Sequence, residues 1–208
     1  MIRVPDNVTS VASIERDAEL MLRVRDGDET SFALLLEKHR NSVIHFLFRM
    51  VQNQAIAEEL AQEVFLRVYR SRETYEPTAK FTTWLFRITT HLALNHVRDR
   101  RKDKLHDSID EKVEDGAPRQ LPTREANVEE RLLRDARLDE VRKAIEELPE
   151  KQRGAVLMHK YQEMEYSQIA AILGCSESAV KSLLFRAYES LRSSLRQFSP
   201  GGSGLKAS

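Results

Sequence analysis

The feature that most constrains the fold is a punctuated helical pattern over Tyr166–Arg192, near the end of the chain. An apolar stretch stops at Gly174, and a second one starts after Ser176. Glycine is common just past a helix end and serine is a preferred N-cap, so this spacing predicts two helices joined by a tight turn. The second predicted helix has an inward apolar face at helical spacing, formed by Val180, Leu184, Ala187 and Leu191.

The opposite face of this second helix is basic and polar. It carries Lys181, Ser182, Phe185 and Arg186. Side chains of these types contact base edges and phosphates when a helix lies in the major groove of DNA. The segment therefore predicts a helix-turn-helix that binds duplex DNA. The alternative is an ordinary helical hairpin whose basic face is only solvated.

The remaining sequence favours helices throughout. Charged residues make up 32% of the 208 residues, glycines number only seven, and no long run of alternating β-branched residues predicts a strand. We predict an all-α fold with two helical domains joined by a flexible acidic linker, the C-terminal domain containing the helix-turn-helix. The predicted boundaries are a disordered N-terminus at 1–14, a first domain at 15–102, the linker at 103–130, a second domain at 131–198 and a disordered tail at 199–208.

The zero net charge conceals a segregated charge pattern. Lys80–Lys104 holds seven Lys and Arg against two Asp, and Lys181–Arg196 holds four against one Glu. Between them, Asp107–Glu130 holds eight Asp and Glu against three basic residues. Basic segments supply the phosphate attraction of DNA binding, whereas acidic sequence that contains proline is typical of a mobile linker.

Four helices are predicted in the first domain: Ala18–Arg25, Thr30–Val51, Ile56–Arg72 and Phe81–Arg101. The Asp26-Gly27-Asp28 step predicts the end of the first helix and the cap of the second. The fourth predicted helix combines Phe81, Trp84 and Phe86 with a basic end. Aromatic and basic side chains together favour stacking on unpaired bases, although a lone tryptophan near phenylalanines is as often part of a core.

Several functional classes lack support in the sequence. It has no glycine-rich phosphate loop, no HExxH motif and no nucleophile elbow, so we expect no enzyme, no cofactor and no metal. The single cysteine, Cys175, favours a reducing compartment. Because the first residues lack a signal pattern and no apolar run reaches the length of a membrane span, we expect a cytoplasmic protein without membrane insertion.

Three segments together resemble the extracytoplasmic-function sigma factors of bacterial RNA polymerase, in the order and spacing of that family. LAQEVFLRVYR at Leu60–Arg70 resembles their core-polymerase-binding helix, and Phe81–Arg101 resembles their promoter-melting segment. ELPEKQRGAVLMHKYQEMEYSQIAAILGCSESAVKSLLFRA at Glu147–Ala187 resembles the fourth conserved region, which binds the minus-thirty-five element. The resemblance implies a sigma factor that recruits core polymerase to promoters, recognises two promoter elements and melts the DNA.

The resemblance also implies specific contacts and partners. The clamp helices of the largest polymerase subunit would meet Glu59, Gln62, Glu63, Leu66 and Arg70, with the flap as a further contact of the polymerase. The minus-ten element would meet Trp84, His91, Asn95, Arg98, Arg100 and Arg101. The minus-thirty-five element would meet Ser178, Lys181, Ser182, Phe185 and Arg186. An anti-sigma factor that masks the Leu66 surface is a further expected partner.

The chain departs from the family pattern at three places. Ser178 and Ala179 replace a usual Gly-Thr pair, Leu183 replaces a frequent Arg, and His91 replaces a frequent Asn in a predicted base-reading loop. Because of these departures, the resemblance does not predict which promoter sequence the chain recognises. The alternative function is a free-standing helix-turn-helix regulator whose first domain dimerises or binds an effector. Such a regulator has no need of a Gln-Glu pair followed by an aromatic-basic segment.

Overall fold

The computed structural model describes residues 6–106 and 138–196, with side chains from 16–102 and 138–196. The described residues form helices and no strand, which confirms the all-α prediction. One unit holds α1 to α4, and a second holds α5, α6, α8 and the start of α7. The helices are α1 Asp6–Arg25, α2 Glu29–Val51, α3 Gln54–Arg70, α4 Phe81–His106, α5 at 138–146, α6 Glu150–Tyr161, α7 Tyr166–Leu173 and α8 Glu177–Ser194, with a 3₁₀ turn at Arg72–Thr74.

The first unit is built around the meeting of α2, α3 and α4, each of which packs on the other two. Phe46 of α2 and Phe86 of α4 meet edge to face with their ring centroids 5.4 Å apart. Leu47 and Leu85 beside them are fully buried. Burial of side chains of this size contributes about 1.5–3 kcal/mol each to the free energy of folding, so this cluster fixes which sides of α2 and α4 face each other.

The predicted junction between α1 and α2 is confirmed. Gly27 has a positive φ of 97°, a conformation that side chains with a Cβ rarely adopt. Asp28 follows as the N-cap of α2, and its carboxylate accepts a hydrogen bond from the backbone N–H of Ser31 at 3.2 Å. The chain therefore reverses direction within three residues.

Two helices are longer than predicted. Helix α1 begins at Asp6 rather than Ala18, so residues 6–14, which were predicted to be disordered, are helical. Helix α4 continues to His106, four residues into the predicted linker. Neither extension contains proline or glycine, so nothing in the local sequence ends the helix. The rest of the predicted linker, residues 107–130, and the tail at 199–208 lie outside the described residues.

In the second unit, α6 packs on α8, and buried apolar residues include Val156, Leu157, Val180 and Leu184. The turn before α6 is closed by Arg153, which donates hydrogen bonds to the backbone carbonyl oxygens of Glu146 and Leu148. These oxygens lie at the end of α5, where intrahelical partners run out. Burial lowers the pKa of the Arg153 guanidinium. The sequence pattern gave no indication of this capping role.

A buried ionic cluster joins α1 to α2. Asp17 is 3% exposed, and its carboxylate lies 2.6 Å from Lys38 Nζ and 3.0 Å from His39 Nε2. Burial alone would raise the pKa of this carboxyl, but the hydrogen bonds from His39 and Lys38 outweigh it and hold the pKa below its usual value. The charged form of Asp17 therefore stabilises the folded unit.

We predict that Asp17→Asn lowers the free energy of unfolding by about 1.5–3 kcal/mol near pH 7, because it removes a charged acceptor from one buried and one part-buried hydrogen bond. Since folding lowers the pKa of this carboxyl, its contribution is fully present above the unfolded value of about 3.9 and is lost as the pH falls through the folded value. Urea unfolding from pH 7 to pH 2 measures the difference between the two proteins.

The matched control is Asp26→Asn, because the Asp26 carboxylate is exposed. This variant should differ from the parent by less than about 0.5 kcal/mol at every pH. A difference between Asp17→Asn and the parent that stays constant down to pH 2 would contradict the assigned role of the Asp17 charge.

Candidate functional site: three exposed helix faces

The outer face of α3 gathers all the residues that the sequence assigned to polymerase binding. Glu59, Gln62, Glu63, Leu66 and Arg70 fall within an arc of about 100° around the helix. Leu66 is 49% exposed. The face is therefore a polar surface with one apolar side chain near its centre.

An apolar groove borders this face, and the sequence did not predict it. Phe32 and Leu36 of α2 are only half-buried and line the groove. Gln62 and Leu66 line its α3 side, and its volume is about 780 Å³. At one end, Phe32 meets Tyr69 edge to face at 5.1 Å. The α3 face thus continues into a groove shaped to accept apolar side chains.

The second face lies on α4. Trp84, His91, Asn95 and Arg98 follow one another at intervals of seven, four and three residues, so they share one side of the helix. At 1.5 Å per residue, this strip is about 21 Å long. The Arg98 guanidinium donates to the Asn95 side-chain oxygen at 2.9 Å. Aromatic, imidazole, amide and guanidinium groups therefore stand in a row.

Two of the predicted basic residues fall outside this row. Arg100 is half-buried and lies about 200° around the helix from Arg98. Arg101 is exposed three residues after Arg98, about 60° around the helix from it, and adjoins the row. Because consecutive residues of a helix turn by about 100°, a cluster of neighbouring arginines cannot present all its members to one ligand surface. Of the three arginines, Arg98 lies within the row, Arg101 adjoins it and Arg100 lies on another side.

His91 does not lie in a loop, and that part of the prediction is wrong. It is exposed in the middle of α4, ten residues after the helix begins. The segment around it has no proline or glycine that would interrupt the helix. The helix still presents the imidazole outward, on the same side as Trp84.

Trp84 belongs partly to an aromatic cluster at the start of α4. Its ring centroid lies 4.9 Å from that of Tyr75 and 5.8 Å from that of Phe81. Tyr75 and Phe81 are buried, whereas Trp84 is half-buried. One side of the indole therefore packs in the aromatic cluster, and the other side is open to solvent.

The third face lies on α8 of the helix-turn-helix. Gly174 has a φ of +63° in the turn, Ser176 caps α8 through a bond from the Ala179 N–H to its Oγ at 3.2 Å, and α7 and α8 meet at 99°. An angle of roughly 90–120° is typical of this motif. The predicted turn and cap are confirmed, and Val180, Leu184 and Ala187 are buried as predicted, while Leu191 is half-buried.

The outward residues of α8 are the predicted set. Phe185 is 68% exposed, and Lys181 and Arg186 have no acidic partner among the described residues. By contrast, Arg192 on the same helix pairs with Glu189. Lys181, Arg186 and the exposed ring of Phe185 therefore form a positively charged surface.

The serines of this face are hydrogen-bonded within the helix. Ser182 Oγ donates to the Ser178 carbonyl oxygen at 3.0 Å, and the Ser178 hydroxyl lies 2.9 Å from that of Ser176. Each hydroxyl keeps lone pairs that can accept a hydrogen bond. The serines therefore offer acceptors beside the cations.

Comparison with known families identifies the arrangement. Residues 35–103 match the model for Sigma-70 region 2, and residues 138–191 match the model for Sigma-70, region 4. The RNA polymerase sigma-H factor of Pseudomonas aeruginosa is 31% identical over 187 residues, which cover 88% of this chain and 95% of that protein. This chain belongs to the extracytoplasmic-function sigma factors of the sigma-70 family. The predicted family and function are confirmed: this sigma factor directs RNA polymerase to specific promoters, and it is not a free-standing regulator.

Other relatives agree with this identification. The ECF RNA polymerase sigma-E factor of Haemophilus influenzae is 30% identical to this sigma factor, and the match covers 86% of this chain and 95% of that protein. A solved structure of the sigma factor RpoE with the anti-sigma factor NepR from Bartonella quintana has the same fold, with a TM-score of 0.64 and 22% identity over 79% of this chain and 96% of that one.

No single helix in the described residues is both long and apolar enough to cross a membrane. Helices α7 and α8 reach that length and composition only as a pair, with the 99° bend between them. Within the same residues, no group of three or more His, Cys, Asp or Glu side chains is arranged to hold a metal ion.

Proposed function

We propose that each of the three exposed faces of this sigma factor binds a different target. The α3 face binds core polymerase, the α4 strip binds the unpaired minus-ten element, and the α8 face binds the minus-thirty-five element as duplex. The observation that carries this proposal is that the residues on each face are held outward by a buried opposite face.

The α3 face suits a helical partner such as the clamp helices of the largest polymerase subunit. Glu59, Gln62 and Arg70 offer polar contacts around Leu66, and the groove beside Leu66 can accept apolar side chains. A buried apolar contact surrounded by polar ones is the common anatomy of a protein interface. We propose the flap as a further contact of the polymerase.

The α4 strip suits single-stranded DNA. Extruding a base costs a few kcal/mol, which stacking on an aromatic ring and hydrogen bonding in a pocket can offset. Trp84 provides a ring edge, His91 and Asn95 provide donors and acceptors, and Arg98 provides charge for phosphate. Arg101 and Arg100 are assigned to phosphates on neighbouring sides of the helix rather than to the same strand position.

The α8 face suits the major groove. Lys181 and Arg186 supply donors for guanine edges or phosphates, Phe185 supplies an apolar surface for a thymine methyl group, and Ser178 and Ser182 supply acceptors. The two DNA-binding faces are joined by one chain, so binding of one raises the effective concentration of the other to roughly millimolar. Neither face then needs to bind tightly by itself.

An anti-sigma partner is the regulatory part of the proposal. RpoE of Bartonella quintana is bound by such a factor, NepR. An apolar helix laid against Leu66 and the groove would cover the surface assigned to core polymerase, so the two partners would compete. We further propose that this sigma factor acts in the cytoplasm without a cofactor or metal and without enzymatic activity of its own.

We predict that replacing Gln62 with Ala and Leu66 with Ser together weakens binding to core polymerase by about tenfold or more, because the centre of the interface is lost. Both side chains face outward, so the melting temperature should stay near that of the parent. Pull-down with purified core polymerase and thermal melting measure the two effects.

Leu34→Ser is the matched control for this pair. Leu34 is 46% exposed on α2, almost the same as Leu66, but it does not line the groove. It should leave polymerase binding unchanged. Equal binding by the control and the double variant would remove the α3 face from the proposal.

We predict that Lys181→Ala and Arg186→Ala each reduce promoter binding by the polymerase complex by roughly 1–3 kcal/mol if the contact is to a base edge. For a phosphate contact, the loss should instead be similar across promoter variants, and the slope of log affinity against log salt should fall by about one. Binding titrations at several salt concentrations separate the two cases.

The control is Arg192→Ala, which removes the same kind of charge from the same helix but from an existing ion pair with Glu189. Its promoter binding should match the parent. Full protection of the upstream element in footprints of both test variants would rule out the α8 assignment.

A further inference from the structure

A chain of direct contacts runs from the buried ionic cluster to the exposed edge of Trp84. The Asp17 carboxylate lies 3.0 Å from His39 Nε2, and the His39 ring lies 5.4 Å from the ring of Phe81. Phe81 in turn lies 5.8 Å from Trp84. Every member except Trp84 is buried. The rings of His39 and Phe81 therefore connect the Asp17 carboxylate to Trp84, which lies on the proposed DNA surface.

Tyr75 contacts the same indole and also contacts Phe81. Its ring lies 6.3 Å from Phe81 and 4.9 Å from Trp84. Burial and, to a smaller extent, the negative charge of Asp17 raise the pKa of the Tyr75 phenol. Tyr75 and Phe81 thus contact each other as well as Trp84.

The geometry of His39 explains why the carboxylate matters to the rings. The imidazole is buried, and the tilt between its plane and that of Phe81 is 46°. A hydrogen bond to a carboxylate at one ring nitrogen fixes the orientation of the whole imidazole. Without it, the imidazole loses its preferred orientation and Phe81 loses a fixed packing surface.

We propose that Asp17 and His39 are positioning residues for promoter melting, which hold Phe81 and hence Trp84 in the orientation that captures an unpaired base. This inference rests on the proposed role of the α4 strip. The positioning pair, Asp17 and His39, touches no DNA itself. It removes the cost of ordering the Trp84 side chain at the moment a base is captured, and preorganisation of this kind strengthens binding.

The test uses the full-length sigma factor with core polymerase and measures the rate of promoter opening, by permanganate reactivity of thymines. Asp17→Asn and His39→Gln are compared on a duplex promoter and on the same promoter with the minus-ten element already unpaired. The measurements are made well below the melting temperature of each variant. Lys38→Gln is the control, because Lys38 binds the other oxygen of the Asp17 carboxylate.

We expect both variants to slow opening of the duplex promoter about fivefold and to weaken binding of the unpaired template, while polymerase binding and the Lys38→Gln control remain near the parent. We also expect Asp17→Asn to add nothing to the defect of Trp84→Ala, since residues that act through one contact are not additive. Unchanged duplex opening, unchanged binding of the unpaired template, or additive defects would each overturn the positioning role.

Trp84→Ala separates this inference from the function on which it rests. If Trp84→Ala slows opening but neither positioning variant does, the α4 strip stands and the positioning pair is rejected. If Trp84→Ala opens the promoter as fast as the parent, the proposed melting surface is rejected, and the positioning role with it.

Discussion

Burial of one face of every helix is the constraint on which the rest of the structure depends. In the first unit, Phe46, Leu47, Leu85 and Phe86 occupy the space where α2, α3 and α4 meet. When one side of a helix is buried against its neighbours, the opposite side must face outward. The outward faces of α3 and α4 are therefore fixed by the core, and the same reasoning applies to α8, whose Val180, Leu184 and Ala187 are buried. In a scaffold of this kind, the binding residues lie on helices rather than on loops.

The elements that could be predicted from sequence are those with local signals. Gly174 and Ser176 mark the turn of the helix-turn-helix, and Gly27 and Asp28 mark the first turn, so both were located to the residue. Helical periodicity alone was enough to place the five α3 residues on one face. It also explains why Arg100 and Arg98 lie on different sides of α4, although they are close together in the sequence.

What could not be predicted depends on contacts between distant residues. Asp17 and His39 are 22 positions apart, and nothing in the period of either helix indicates that they meet. The groove was missed because the spacing of Phe32 and Leu36 fits a core position and a groove wall equally well. The start of α1 was placed too late because its first half lacks a strong apolar stripe, and the loop assigned to His91 came from the resemblance rather than from a helix-breaking residue.

The central claim of this account is that three faces of one sigma factor meet three different targets in a single complex. Site-specific photocrosslinking in the promoter complex tests it most directly, with a photoreactive amino acid in place of Leu66, His91 or Phe185. The account predicts a crosslink from position 66 to the largest polymerase subunit, from position 91 to the minus-ten strand and from position 185 to the upstream duplex. Crosslinks from position 66 to DNA, or from position 91 to polymerase alone, would contradict it.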